Sequence, residues 1–482
     1  MKFLRTALVI ATTLLVAAVP ALAGAAPRWP AARIVALPAG AKGVPLGYLP
    51  ALACASVGNC AAGGAYTNAA GDNEGLLFNE VGGIWRSPVT ITPPTGAAAS
   101  PGVTVSAASC GAPGTCSAVG TYQEKSGSSL GFVDSEVGGT WRGAVAVVLP
   151  ANAVVNGQNA QIRSIACPSA GNCSAAGTYR AQASPLAATE GLVLNEVAGV
   201  WRRAIEVRLP GGTNVNPFVL LNQVACGSSG NCSAVGSYID ANGATHALLV
   251  TEAATRWSPG IAVALPGNAS AYPNATLSSI ACVSVGKCSA IGNYDNAQGD
   301  IEGLSVVEAP RSWRRASAMV MPANAASNPR VFFYGFSGIS CPSLNNCSAG
   351  GQFSDSAGHY QGFLVNQVNG AWQVAQELKL PSGGAQAGKN GGVVAVTCTS
   401  SANCSAGAAY LDAAGNYQAL VVNRVNGTWQ TGIKVTLPTG ATAVGVDGGV
   451  YGLICKAASQ CTATGSYQRS ATVYEGFTLS GI

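Results

Sequence analysis

Charge is what this sequence has least of. Asp, Glu, Lys and Arg make up 9% of its 482 residues, against roughly 25% in an average soluble protein. A net charge of +5 on so few ionisable groups gives no basic field, which argues against nucleic acid as a partner. Histidine is nearly missing (His246 and His359 alone) and Met occurs 3 times, so imidazole chemistry and His-rich metal sites have little to draw on. Helical periodicity is absent. Beyond residue 23 no apolar run approaches the ~20 residues that a membrane span needs. Disorder is excluded from the other side, because hydrophobic residues make up 48% of the chain. What is present in quantity is glycine, 62 residues, and cysteine, 16.

The N-terminus reads as an address. Lys2 and Arg5 precede an apolar stretch, Ala7 to Val19, broken only by Thr12 and Thr13, and Ala21-Leu22-Ala23 is a small-residue cleavage site. Residues 1–23 are therefore expected to be a signal peptide. The mature chain starts near Gly24 and is secreted, extracellular or periplasmic, with no membrane span and, lacking a Cys at the cleavage site, no lipid anchor there. In that compartment cysteines pair.

The cysteines form eight pairs with one spacing, Cys-x5-Cys: Cys54/Cys60, Cys110/Cys116, Cys167/Cys173, Cys226/Cys232, Cys282/Cys288, Cys341/Cys347, Cys398/Cys404 and Cys455/Cys461. Six residues after each second Cys stands an aromatic: Tyr66, Tyr122, Tyr179, Tyr238, Tyr294, Phe353, Tyr410 and Tyr467. Each of the 8 Trp is followed nine residues later by Pro and two further on by Gly or Asn, types that tolerate a left-handed turn position. One unit reads as four short strands. In the third unit these are A (163–167), B (173–179), C (191–197) and D (201–209), with tight turns between A and B and between C and D. Four strands at a period of 56 to 59 residues mark a β-propeller blade. The last unit has strands A to C but no Trp strand, whereas Trp29 to Pro38 is a strand D without the other three. The predicted fold is all-β: a single eight-bladed β-propeller of four antiparallel strands per blade, residues 24–482, with the N-terminal strand completing the last blade and removing free edges. A five-residue link between strands A and B sets the two Cys opposite one another, so eight intra-blade disulfides are expected. Metal sites use closer Cys spacing and more His.

The recurring Ser/Ala-Cys-x5-Cys-Ser-Ala-x-Gly-x-Tyr with a later Gly-x-Trp resembles repeats of uncharacterised secreted bacterial β-propellers, over 27–482. More remotely, Asp134-Ser-Glu136-Val-Gly138-Gly-Thr140-Trp141 resembles the Asp box of sialidase-like propellers, with Glu in place of Asp and no leading Ser. That resemblance implies a structural role for the Trp and for the acids of the C–D turn: Glu80, Glu136, Glu196, Glu252 and Glu308, then Gln367 and Arg424.

Candidate chemistry is sparse, and no catalytic residue is assigned. Gly127-Ser128-Ser129-Leu130-Gly131 matches the nucleophile-elbow pattern but fills a hairpin loop. The axial strand A offers Arg163 as its one charge, so neither a sialidase-like well nor a quinone cofactor is supported, and no cofactor is expected. Asp295, Asp300 and Glu302 are a weak calcium candidate against an Asx-stabilised hairpin. Asn172, Asn231, Asn346 and Asn403 match the glycosylation sequon but sit in turns. At the start of strand C, Glu74, Glu190, His246, Glu302, Gln361, Gln418 and Glu475 recur at one level. With the connector aromatics Phe218, Tyr272, Phe332, Phe333 and Tyr334 they form the candidate ligand-binding ring. Glu80/Arg86, Glu136/Arg142, Glu196/Arg202 and Glu308/Arg314 change together and are expected to pair across a three-residue C–D turn. The functional reading is a monomeric, non-enzymatic binding or scaffold protein for an extracellular glycan or protein ligand on the loop-rich face. The alternative is a glycan-active hydrolase or lyase of sialidase-like propeller type.

Overall fold

A computed structural model describes residues 27–44, 49–182, 187–309, 312–333, 338–384, 391–438, 448–470 and 473–481. The leader and Tyr334 lie outside these residues. The chain is an all-β, eight-bladed propeller, with no helix among the described residues. None is therefore long and apolar enough to cross a membrane. Blade 3 shows the plan. Its strands are A, Gln161–Ser169; B, Asn172–Ala181; C, Ala188–Val197; and D, which comes in two pieces, Val200–Trp201 and Ile205–Glu206. Each strand pairs antiparallel with the next, and both pieces of D pair with C. Strand A opens the other blades at Ala51, Thr104, Leu220, Thr276, Ile339, Gly392 and Gly449. Blade 8 is completed by the N-terminus: Arg33 faces Thr478 and Ile34 faces Phe477.

Strand D is not the continuous strand the alternation implies, and the reason lies in the neighbouring blade. The N–H three residues after the Trp turns away from strand C and donates to a D-strand carbonyl of the preceding blade. Examples are Ala204 to Val148 at 2.8 Å, Ala316 to Ala264 at 2.8 Å and, across the sequence gap, Ala32 to Thr436 at 2.8 Å. This belt joins every adjacent pair of blades except blades 8 and 1. There the donor position is Pro88, which has no N–H.

All eight Cys pairs are disulfides, with Cα atoms 3.9 to 4.1 Å apart. The five-residue link is a bulge plus a two-residue turn: Cys54 faces Cys60, and Ser56 faces Asn59. The second cysteine of each pair turns into the blade. Cys116, Cys173 and Cys288 are each 4% exposed and Cys347 is 3% exposed, and Cys60, Cys232, Cys404 and Cys461 are buried like them. These strand-B cysteines are therefore packed against the neighbouring blade, and Cys232 and Cys288 also line the cavity between blades 4 and 5. A second bulge in strand A, seen between Leu221 and Gln223, pushes a carbonyl against strand B. A Cβ at Gly177 or Gly236 would lie 1.9 or 1.8 Å from the oxygens of Gln161 and Leu220. That close approach accounts for the Gly four residues after the second Cys in seven of the eight units; the seventh has Ala408. Between blades the core is apolar. Leu192, Val193, Leu248 and Leu304 are fully buried, and each aromatic of strand B is buried beside them.

Candidate functional site

The two rims of the propeller use their polar residues differently. On the disulfide rim the C–D acid and the Trp are opposite each other: Glu80 faces Trp85, Glu136 faces Trp141, Glu196 faces Trp201, Glu252 faces Trp257 and Glu308 faces Trp313. The turn between them therefore holds two residues, and the three-residue register is wrong. Arg86, Arg142, Arg202 and Arg314 point away, and among the described residues no ion pair joins them to the acids. All five Glu are at most 7% exposed, where the Glu and the Trp both reach into the preceding blade. Asn79 donates to Glu136 at 2.7 Å and accepts from Trp141 Nε1 at 3.0 Å. Asn195 does the same for Glu252 at 2.5 Å and Trp257 at 2.9 Å, and Ser174 donates to Glu252 at 2.9 Å. The asparagine lies six residues before its own Trp. In blade 5 that place is Val307, which leaves the buried Nε1 of Trp372 without an acceptor. Burial raises the proton affinity of all five Glu. The acids and indoles are mortar between blades, the structural role that the Asp-box resemblance implied.

The sequon asparagines are occupied as well. Asn231 Nδ2 donates to Ser228 at 3.1 Å while its Oδ1 accepts from Ala254 N, tying the A–B turn to the C–D turn. Ser128 of the elbow-like sequence is 2% exposed and accepts from Gly157 N at 2.8 Å. No helix follows it.

On the loop rim each predicted ring residue faces the strand-B aromatic of its own blade, as Glu74 faces Tyr66 and His246 faces Tyr238. Tyr66 donates to Glu74 at 2.9 Å, Tyr294 donates to Glu302 at 2.5 Å, and Tyr467 bonds Glu475. A loop residue six positions earlier holds the same side chain. Asn68 holds Glu74 at 2.7 Å, Asp240 holds His246 at 2.9 Å, Asn296 holds Glu302 at 2.6 Å, Asp355 holds Gln361 at 3.0 Å, Asp412 holds Gln418 at 2.8 Å and Arg469 holds Glu475 at 2.6 Å. The Oδ1 of these Asx residues accepts loop amides, as that of Asp240 does from Asn242 and Ala244, both at 2.9 Å. These are Asx-stabilised hairpins with a left-handed Gly such as Gly243, φ 83°. Asp295 and Asp300 each accept from an Asn, at 2.7 and 2.9 Å. Among the described residues no three His, Cys, Asp or Glu side chains converge as metal ligands.

Glu190 departs from this pattern. Burial first, then the charge of Glu206, lifts its carboxyl to about 7. Glu206 lies on strand D, where Tyr179 donates to it at 3.0 Å and Asn152 at 2.5 Å. Sequence reasoning missed Glu206. Its signal was a comparison between repeats: the same D-strand place is Thr90, Ala146, Ala262 or Ala318 in four blades and an acid again at Glu377, to which Asn324 donates at 2.7 Å. The connector aromatics divide. Phe218 and Tyr272 are 59% and 58% exposed, whereas Phe333 is buried against Phe363, ring centroids 5.5 Å apart. Val155 and Val215, on the connectors into blades 3 and 4, are also exposed.

Two cavities bear on these rims. One of about 160 Å³ lies among the A strands of blades 1 to 4, where Ser106, Arg163 and Asn222 line it as expected of axial residues. A larger one, about 560 Å³, lies on the disulfide rim between blades 4 and 5.

No family model matches the sequence, and no curated protein matches it. Solved structures similar to it are propellers. An ulvan lyase of polysaccharide lyase family PL25 aligns over 94% of this chain and 96% of its own, with TM-score 0.44 and 10% identity. A protein of unknown function from Dyadobacter fermentans aligns over 94% and 99%, with TM-score 0.39 and 10% identity. Trypanosoma rangeli sialidase aligns over 83% and 56%, with TM-score 0.34 and 10% identity. Scores this low bear on nothing in this chain's chemistry.

Proposed function

We propose that the chain is an exported, disulfide-stapled propeller, one domain over residues 24–482, that binds an extracellular glycan or protein ligand on its loop rim over blades 3 to 5 without transforming it. Phe218 is the observation that carries this reading. Its φ is 44°, a left-handed conformation that costs a bulky residue about 1–3 kcal/mol. The corresponding places in neighbouring connectors are Gly102, Asn159 and Asn274, at φ 55°, 40° and 41°. The fold asks for Gly or Asn here and receives an exposed aromatic. With Tyr272 on the next connector and Val215 beside it, the ring offers the apolar platform that sugars and peptides stack on. The ring of Glu74, Glu190, His246, Glu302, Gln361, Gln418 and Glu475 acts in this reading as the rigid support beneath the platform. Eight disulfides support an oxidising compartment.

The test is a glycan array with the purified mature chain, repeated with Phe218→Asn and Tyr272→Ala. Both variants should lose binding while the Phe218→Asn protein melts no lower than the parent. Unchanged binding in both would reject the site.

One observation favours the second reading, a glycan-active hydrolase or lyase. Glu190, whose carboxyl is lifted to about 7 by burial and then by the charge of Glu206, makes with Glu206 the kind of carboxyl pair glycoside chemistry uses. A fluorogenic-glycoside screen decides it: turnover abolished by Glu190→Gln would replace binding by catalysis.

A further inference from the structure

The cavity between blades 4 and 5 lies at an interblade joint that is incomplete. At the joints of blades 1 with 2 and 3 with 4, an asparagine fills the space between Glu and Trp, bonding both. At the joint of blades 4 and 5 that asparagine is Thr251, too short to do so. It accepts from Trp313 Nε1 at 3.4 Å and makes no bond to Glu308, which accepts from the Cys288 N–H instead. Glu308 is 7% exposed, and its Oε2 is a buried acceptor with no partner. The vacated volume, about 560 Å³, is bounded by Glu308, Glu252, Trp313, Ile261, Val285 and Thr251, and it lies within the size range of small-molecule sites.

We propose that this cavity is a binding site for a small organic ammonium ion. Its ammonium N–H groups donate to Glu308 Oε2, and its hydrocarbon part lies against Trp313, Ile261 and Val285. Charge selects the class. Two carboxylates face the cavity, and no Arg, Lys or His is among the described residues that line it. Glu252 is already satisfied by Asn195 and Ser174, so the unmet demand is at Glu308. A neutral polyol could supply a hydrogen bond but not the opposite charge that a desolvated carboxylate requires. The face of Trp313 adds a cation–π contact. The site is separate from the loop rim and does not depend on the binding reading above.

Titration calorimetry on the purified, disulfide-intact chain tests this with benzylammonium and with its neutral counterpart, benzyl alcohol. Benzylammonium should bind at one site, with the alcohol weaker by roughly tenfold or more. Glu308→Gln should weaken the amine by a similar factor. Thr251→Asn rebuilds the joint as its neighbours have it, so it should abolish binding while raising Tm, which separates loss of the site from loss of the fold. Failure of benzylammonium to bind, equal binding of amine and alcohol, or binding retained in Thr251→Asn would each overturn the proposal.

Discussion

Asp134 is 1% exposed and accepts from Gly143 N at 3.1 Å, yet burial lifts its carboxyl to about 6. The folded state thus holds a proton more tightly than the unfolded chain does. Stability is highest below the ordinary carboxylate range and falls as pH rises to about 6. Ionising Asp134 inside the fold costs roughly 2–3 kcal/mol. The five buried Glu of the disulfide rim are raised by the same cause and act in the same direction. Asp240 opposes them: the Ala244 amide and His246 hold it low, so its contribution is lost only in stronger acid. Calorimetric melting should therefore give a higher Tm near pH 5 than near pH 8, and Asp134→Asn should flatten the slope between them. A Tm that rises from pH 5 to pH 8 would contradict the burial of these acids. Gly236 makes the steric case at this scale. Its Cβ would meet Leu220 O at 1.8 Å, so Gly236→Ala should cost about 1–3 kcal/mol in denaturant unfolding.

At the scale of the strand, Trp372 marks one of the weak joints, because Val307 stands where Asn79 and Asn195 stand in blades 1 and 3. Val307→Asn should give the orphaned Nε1 its acceptor and add about 1 kcal/mol, read as a shift of the urea midpoint. Removing a staple should act the other way. Replacing both cysteines of Cys226–Cys232 by serine should lose about 2 kcal/mol, since a short loop restrains the unfolded chain modestly. Strands A to C were legible because their Cys, Tyr and Gly positions repeat within the blade. Strand D was not, because its break is set by a carbonyl of the preceding blade, which no pattern inside one unit encodes. Burial of the strand-B sulfurs Cys116, Cys173, Cys288 and Cys347 was hidden for the same reason, since the spacing fixes the pairing but the next blade supplies the cover. The C–D turn was misread for a related reason. Glu and Arg change together along the chain, yet Glu80 turns inward to blade 8, where Thr462 and Ser480 donate to it, each at 3.5 Å. Arg86 is not its partner, and no contact in the structure explains why the two vary together. The turn position after each Pro is split in the same way: Gly40, Gly96, Gly212 and Gly383 are left-handed. The Asn at that place are not, and instead extend their side chains, as Asn268 does to accept from Tyr294 at 2.8 Å.

For the whole molecule, the blade count and the closure were readable from the ends of the chain, because an unpaired strand D at one end matches a missing strand D at the other. The loop platform was only half readable. Exposure of Phe218 and burial of Phe333 depend on backbone angles that sequence does not display. Closure concentrates demand on one short segment. Blade 8 is sealed by Arg33–Ile34, by Val35 N to Gly476 O at 2.9 Å and by Trp29 Nε1 to Asn423 at 3.4 Å. Its other flank meets blade 1 at Pro88, where the belt has no bond. Deleting residues 27–38 should therefore bare the edge of strand C in blade 8, Val473–Gly481, a row of unpaired N–H and C=O groups that templates pairing with another chain. The truncated protein should elute on gel filtration as larger species and melt lower. A synthetic peptide of residues 27–38 added in excess should restore both the elution volume and the Tm, since it supplies the missing strand without the covalent link. A truncated chain that elutes and melts like the parent would show that the ring is held by its seven other joints and that the N-terminal strand is dispensable.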